Sequence, residues 1–308
     1  EQYAQSRRES RIMVFLMLVG LWLSWGVAYP VTGWALGAAD AISMRLIIMP
    51  LAGLVQFTGL ALAGKKLLPA SSSWKPIAIA ALFNMVLFQV LMVVGISMTG
   101  PGKTSIIIYT MPAWAALFAV VCFGQTVTTG SVVSLGFGFA AVVLVLIGDP
   151  SGIQQSLLGT GIGLAAAASF GFGTVYMKRV EWADDLTLVG TWQFLIGSLI
   201  LIPIAVPFQS QMYLDLSDMR GLLALVYLTL IANVLAYFLW FRIIRALPVA
   251  VAGITTLVVP CVGVSSSALL SGYAINVFDM LALVLVLVSI AVVTFEQALG
   301  ARSVAGPT

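Results

Sequence analysis

Any chemistry in this chain must come from a short set of polar side chains embedded in long apolar runs. Ser24, Trp25, Tyr29, Asn84, Gln89, Tyr109, Ser169, Thr174, Tyr176, Asn233 and Tyr237 are each flanked by Leu, Ile, Val, Ala, Gly and Phe. An amide moved into an apolar medium without a hydrogen bond costs roughly 2–7 kcal/mol, so Asn and Gln at such positions must face a protein interior. They serve there either as ties between helices, each contributing about 0.6 kcal/mol, or as the lining of a binding site. A lone Ser or Thr can satisfy its hydroxyl on its own helix backbone, which favours the first use. Asn84, Gln89, Asn233 and Tyr237 point equally to the second. An aromatic ring with a polar tip suits a site that holds an apolar body and still offers hydrogen bonds.

The missing residue types narrow the chemistry further. The chain has no histidine, so neither Ser24 nor Ser169 has a base to make it a nucleophile. His, Cys and carboxylates nowhere cluster with metal-ligand spacing, so no metal and no cofactor is expected. No pair of mid-span aspartates is present either, and an enzyme is not expected. Cys122 and Cys261 stand far apart in apolar runs and read as small core hydrophobes. The charged residues nearest the apolar runs fall at their ends: Arg45, Lys103, Asp279 and Glu296. Long basic side chains there are expected to snorkel to the interface. With no acid or histidine in mid-span to relay protons, the expected solute is neutral or zwitterionic and moves down its own gradient.

The elements that must position these residues follow from composition. The chain of 308 residues is 61% hydrophobic and 8% charged, with mean hydropathy +1.11. A water-soluble fold could not cover so much apolar surface, so the solvent is a lipid bilayer. A net charge of +3, scattered along the chain, excludes a nucleic-acid partner. Ten apolar runs are long enough to span the bilayer as helices: spans 1 to 10 cover 12–35, 42–64, 76–98, 103–123, 130–148, 159–179, 187–206, 221–242, 248–270 and 277–296. The first is too long for a cleavable signal and lacks a small-residue cleavage site. Eleven Lys and Arg fall on the side of the N-terminus (Arg7, Arg8, Arg11, Lys65, Lys66, Lys75, Lys178, Arg179, Arg242, Arg245, Arg302) and three on the other (Arg45, Lys103, Arg220). That asymmetry predicts both termini in the cytoplasm.

The spans repeat. Ser24-Trp25-Gly26 in span 1 returns as Ser169-Phe170-Gly171 in span 6, 145 residues later. Ile106, Pro112 and Gly124 return as Ile254, Pro260 and Gly272 at 148 residues. At that offset Gln89 also aligns with Tyr237. A five-span unit copied once crosses the membrane in opposite senses, which predicts an inverted repeat of residues 1–150 and 151–308, an architecture of secondary transporters. Small residues four apart, Gly161, Ala165, Ser169 and Gly173 in span 6 and Gly20, Ser24 and Ala28 in span 1, predict close helix contact or space for a solute. The equivalent prolines Pro112 and Pro260 are candidate hinges, since each frees a carbonyl and permits a bend. Spans 5 and 10 carry few polar residues and read as peripheral, lipid-facing or oligomer-forming.

The paired triplets, Lys178-Arg179 closing span 6, and the mid-span prolines followed twelve residues later by glycine resemble the drug/metabolite transporter superfamily, in its ten-helix EamA-type exporter branch. Many relatives have Gly-Glu after spans 4 and 9, whereas this chain has Gly124-Gln125 and Gly272-Tyr273. It also lacks the membrane-buried acid of the small multidrug exporters in that superfamily. The resemblance implies a multi-pass protein of the bacterial inner membrane, a monomer or homodimer, exporting small metabolites by alternating access. Amino acids, aromatic ones in particular, are the expected solutes, with a proton-coupled or cationic-drug exporter as the alternative and a channel or scaffold as the alternative class. The expected site is a midplane cavity touched by Ser24, Trp25, Tyr29, Asn84, Gln89, Tyr109, Ser169, Asn233 and Tyr237.

Overall fold

The computed structural model describes residues 2–148, 153–246 and 257–304. Among them the structure is helical apart from short connections: α1 (Gln2–Gly26), α2 (Ala28–Ala38), α3 (Ala41–Leu62), α4 (Trp74–Ala81), α5 (Phe88–Thr99), α6 (Pro101–Ile108), α7 (Met111–Val121), α8 (Thr129–Ile147), α9 (Ile153–Arg179), α10 (Leu186–Ala205), α11 (Met219–Tyr227), α12 (Ala236–Ala246), α13 (Val258–Ser271) and α14 (Val277–Val304). Nine stretches within them are long and apolar enough to cross a membrane and match nine of the ten expected spans. The remaining one, span 9, is represented by α13, and its start at 247–256 lies outside the described residues. The protein is an all-helical, multi-pass membrane bundle of two five-span repeats.

Helix packing crosses between the repeats. Span 1 packs on spans 8 and 9, and span 6 packs on spans 3 and 4; span 2 meets span 7, and span 5 meets span 10. The two triplet glycines sit at equivalent places in this pattern. A Cβ on Gly26 would strike Val262 of α13, and one on Gly171 would lie 2.9 Å from the Met111 carbonyl and the Trp114 Cβ of α7. Trp114 and Val262 are themselves 148 residues apart, so each repeat lays its triplet against the same turn of the other. Spans 5 and 10 are bound to each other: Ser134 and Ser289, both fully buried, share a hydrogen bond of 2.8 Å.

Several spans are not simple helices. Span 1 breaks at Val27, between α1 and α2, because Pro30 cannot donate to the Gly26 carbonyl; the Ser266 hydroxyl donates there instead, at 3.3 Å. Span 4 breaks at Tyr109–Thr110, just before Pro112, leaving α6 and α7 as half-helices. α13 likewise begins two residues before Pro260. Spans 3 and 8 each contain a wide π-helical segment, Leu82–Leu87 and Leu228–Leu235. There the chain bonds five residues back, Phe88 N to Phe83 O and Ala236 N to Ile231 O. Such wide turns carry an extra residue and recur at functional sites.

Two aspartate clasps join the repeats at opposite ends of the bundle. Asp40, which caps α3 by accepting from Ile42 N and Ser43 N, also accepts from Tyr213 N at 2.8 Å. An antiparallel bridge between Ala39 and Leu214 lies beside it. Asp184 accepts from Lys66 Nζ at 2.6 Å, Ser73 Oγ at 2.6 Å and Ala70 N at 2.8 Å. Burial by itself would raise both carboxyls; the hydrogen bonds onto them, with the Lys66 charge in the case of Asp184, outweigh it and hold both below the usual carboxylate range.

Candidate functional site

The triplets and the wide turns together build two related junctions. In a regular helix each carbonyl is occupied by its own chain; a π segment leaves carbonyls open to donors from elsewhere. In the first junction, Ser169 Oγ of α9 donates to Phe83 O at 2.8 Å. In the second, Trp25 Nε1 of α1 donates to Ala232 O at 3.2 Å. Each donor comes from the triplet of one repeat and each acceptor from the π segment of the other. Phe83–Ala232 and Asn84–Asn233 both stand 149 residues apart. The same shift pairs Phe88 with Tyr237, so by contacts Phe88, not Gln89, is the counterpart of Tyr237. Phe88 faces Phe170 with ring centroids 4.6 Å apart, and Tyr237 faces Trp25 at 5.8 Å.

Polar groups gather chiefly at the second junction. Gln89 Nε2 donates to Asn233 Oδ1 at 3.4 Å and contacts Met85 Sδ at 3.3 Å. Asn233 Nδ2 returns to Leu228 O at 2.6 Å, a carbonyl of its own wide turn. Gln56 Nε2 donates to Asn233 O at 3.1 Å, and Thr191 Oγ1 to Gln56 Oε1 at 3.3 Å. Arg45 Nη1 donates to Gln89 Oε1 at 2.8 Å. The aromatic wall consists of Trp25, Trp240 at 5.9 Å from it, and Tyr237, which lies edge-on to Phe194 at 5.3 Å. At the first junction Asn84 Nδ2 reaches Gln193 Oε1 and Met177 Sδ, each at 3.4 Å, and the absent side chain of Gly173 makes room for the Asn84 amide.

Arg45 overturns one expectation. Placed at the end of span 2, it was to snorkel outward; it is 1% exposed and turns inward to Gln89. A guanidinium sits at the end of a stem about as long as one turn of helix, so the depth of its Cα does not fix the depth of its charge. Lys103, expected to snorkel too, is 6% exposed. The two carboxylates sit at helix ends: Asp279, fully buried, trades hydrogen bonds with Asn276 through Oδ2 and its own N–H and keeps Oδ1 unpartnered among the described residues, whereas Glu296 accepts from Thr128 Oγ1 at 2.6 Å and Gly130 N at 3.1 Å. Cys122, expected in the core, is exposed at the end of α7, and Cys261 is half-buried; both are free thiols.

Of the residues singled out from sequence, Trp25, Gln89, Asn233 and Tyr237 converge on the second junction, and Asn84 and Ser169 on the first. Ser24 stands apart, spending its hydroxyl on Gly20 O of its own helix at 2.6 Å. Tyr29 and Tyr109 pack together in an apolar core with Ile106, Ile107 and Val264. Pro112 and Pro260 sit in the opening turns of α7 and α13. Gln56, Thr191 and Gln193 belong to the junctions and were not singled out, though the cost of a mid-span amide applies to Gln56 and Gln193 as well. Arg45 carries no such signal.

Comparison with known proteins agrees with this architecture. One protein solved by crystallography superimposes with a TM-score of 0.63 over 92% of this chain and 97% of its own, at 16% identity, a likeness of fold alone. The uncharacterized transporter YvbV of Bacillus subtilis is 28% identical over 61% of this chain and 61% of its own length. A WAT1-related chloroplastic protein of Arabidopsis thaliana is 28% identical, with 76% of this chain matching 58% of that one. The uncharacterized inner membrane transporter YedA of Escherichia coli is 25% identical over 92% of this chain and 91% of its own. The EamA-like transporter family matches twice, over residues 12–147 and 157–295. With both halves matched and a bundle of crossed five-span repeats beneath them, the chain belongs to the EamA-like transporter family.

Proposed function

We propose that the protein is a carrier for small neutral or zwitterionic metabolites, amino acids first. It works by alternating access of the repeats 1–150 and 151–308, and moves solute down its gradient. It lies in a bacterial inner membrane with both termini cytoplasmic, and a single chain contains every group of the second junction, so a monomer suffices even if copies pair.

The observation that carries this reading is the second junction itself: buried amides of Gln89 and Asn233 beside the rings of Trp25 and Tyr237, where helices of opposite repeats meet. An amphipathic lining between two bodies that can move relative to each other is what a carrier needs. Glu296, with both carboxylate oxygens held by Thr128 and Gly130, favours a gradient-driven mechanism over proton coupling. A 24% identical relative in Escherichia coli, matching 63% of this chain, is named as a probable amino-acid metabolite efflux pump, which favours amino acids.

The test is flux in proteoliposomes over a panel of amino acids, nucleosides, sugars and cationic drugs. Saturable flux with trans-stimulation is expected for amino acids, reaching equal concentrations inside and out. Concentrative uptake driven by an imposed pH gradient would overturn the gradient-driven part, and linear, non-saturating flux would make the protein a channel. Gln89→Ala and Tyr237→Ala should each weaken transport while expression stays near that of the parent.

A further inference from the structure

We propose that Arg45 is the anchor for a carboxylate on the solute, whose apolar body rests against Trp25 and Tyr237. The inference rests on the carrier reading and names the solute class of that same junction. A guanidinium stays charged at any physiological pH, and a charge taken out of water is normally matched by a counter-charge. Arg45 is 1% exposed and has no carboxylate partner among the described residues. Its Nη1 donates to a neutral amide oxygen, Gln89 Oε1, and its buried Nε has no hydrogen-bond partner among the described residues.

That leaves one edge of the fork open and the other on an acceptor weaker than a carboxylate, which binds a guanidinium through two parallel hydrogen bonds. Gln89 is held loosely enough to give way, since its own donor bond to Asn233 spans 3.4 Å. The aromatic wall starts near the cation: Arg45 holds Gln89, Gln89 reaches Asn233, and Tyr237, one helical turn beyond Asn233, sets its ring against Trp25 and Phe194. A cation beside an apolar wall selects a solute with a carboxylate at one end and an aromatic or branched body at the other. The first junction has no such pairing, because its rings are Phe88 and Phe170 and its amides are Asn84 and Gln193. Because Arg45 is covered in this conformation, the carboxylate reaches it only when the repeats part.

The competing account is that Arg45 merely ties span 2 to span 3 through Gln89. Purified full-length protein in an uncharged detergent separates the two, read as the shift in melting temperature with 3-phenylpropionate, L-phenylalanine, phenethylamine or inorganic phosphate. The two carboxylates should stabilise; phenethylamine, which lacks one, and phosphate, which also stands in for a lipid headgroup, should not. Arg45→Gln should weaken apparent carboxylate affinity roughly tenfold or more, the scale of one charged hydrogen bond, and Arg45→Lys should weaken it less. Gln89→Glu is close to isosteric and puts an internal carboxylate on the guanidinium. It should stabilise the ligand-free protein and abolish the response to added carboxylates, and it carries the test if Arg45→Gln does not fold. A response that survives in Gln89→Glu, equal stabilisation by phenethylamine or phosphate, or no response to either carboxylate overturns the anchor. Carboxylate binding without flux would instead overturn the carrier reading and leave the anchor standing, whereas saturable flux indifferent to the carboxylate would do the reverse.

Discussion

The two junctions are one backbone device used twice, and they differ in what decorates it. Each has a wide turn, an asparagine on it, a donor from the opposite repeat and a pair of facing rings. Around Asn84 the rings are Phe88 and Phe170 and the amide meets Gln193 and a methionine sulfur. Around Asn233 the rings are Tyr237 and Trp25, and Gln89 brings in Arg45. Shared features are those the frame needs, so they report on folding. Features on one side alone are not required by the frame, and they are the ones we propose for recognition.

Exchanging the decoration gives the largest expected effect. Tyr237→Phe with Trp25→Phe makes the second junction as hydrocarbon as the first. Flux of a confirmed amino-acid substrate should fall about tenfold, the equivalent of roughly 1.4 kcal/mol. The mirror pair, Phe88→Tyr with Phe170→Trp, should change flux less than about twofold. Equal losses from both would erase the distinction between recognition and frame.

A smaller effect, on stability, should be shared. Gly26→Ala and Gly171→Ala each force a methyl group into the opposite repeat, and each should lower stability by about 1–3 kcal/mol, the usual cost of overpacking. Thermal melting of the purified variants would check it. Val262→Ala should restore much of the loss in the first case, because the obstacle is that side chain. No truncation should restore the second fully, because the Met111 carbonyl stands in the way.

The smallest effect compares the two ends of the bundle. Both Asp40 and Asp184 are held below the ordinary carboxylate range. Their contribution to stability is therefore present above an unfolded pKa of about 4 and is lost as pH falls through the lower folded value. Melting temperature should drop in that acid window, and Asp184→Asn or Asp40→Asn should each flatten the drop. Added salt should weaken the Asp184 clasp, which includes the Lys66 charge, more than the Asp40 clasp, whose donors are uncharged backbone amides and the Ser43 hydroxyl.

Much of this was legible from residue types. Span positions follow from the length of apolar runs, and the repeat from the paired triplets Ser24-Trp25-Gly26 and Ser169-Phe170-Gly171 with the returning Ile106, Pro112 and Gly124. Asn84, Gln89 and Asn233 were marked by the cost of burying an amide. Other features were hidden for physical reasons. The π segments have no signature in Leu82–Leu87 or Leu228–Leu235, because a wide turn is a matter of hydrogen-bond register, to which side chains such as Leu and Val are indifferent. Arg45 was misread because sequence gives the height of a Cα and says nothing of the direction of a long side chain. Ser24 had a partner within its own helix, and Tyr29 and Tyr109 found each other in the apolar core, so a polar residue in a span is only sometimes a polar residue in a site.

A wide turn behaves like a dislocation in a crystal row. It holds one residue more than the lattice of a regular helix, and straightening it would turn everything beyond by about 100° and shift it by about 1.5 Å. Such a defect can move along the row by exchanging hydrogen bonds one at a time, without melting the helix. Spans 3 and 8 each hold one, in opposite repeats, with an asparagine on it and an outside donor pinning a nearby carbonyl. Trp25 and Ser169 are in that sense pins on two line defects, and on the alternating-access reading we propose, releasing a pin would let half a span rotate its neighbouring side chains away from the place where the repeats meet.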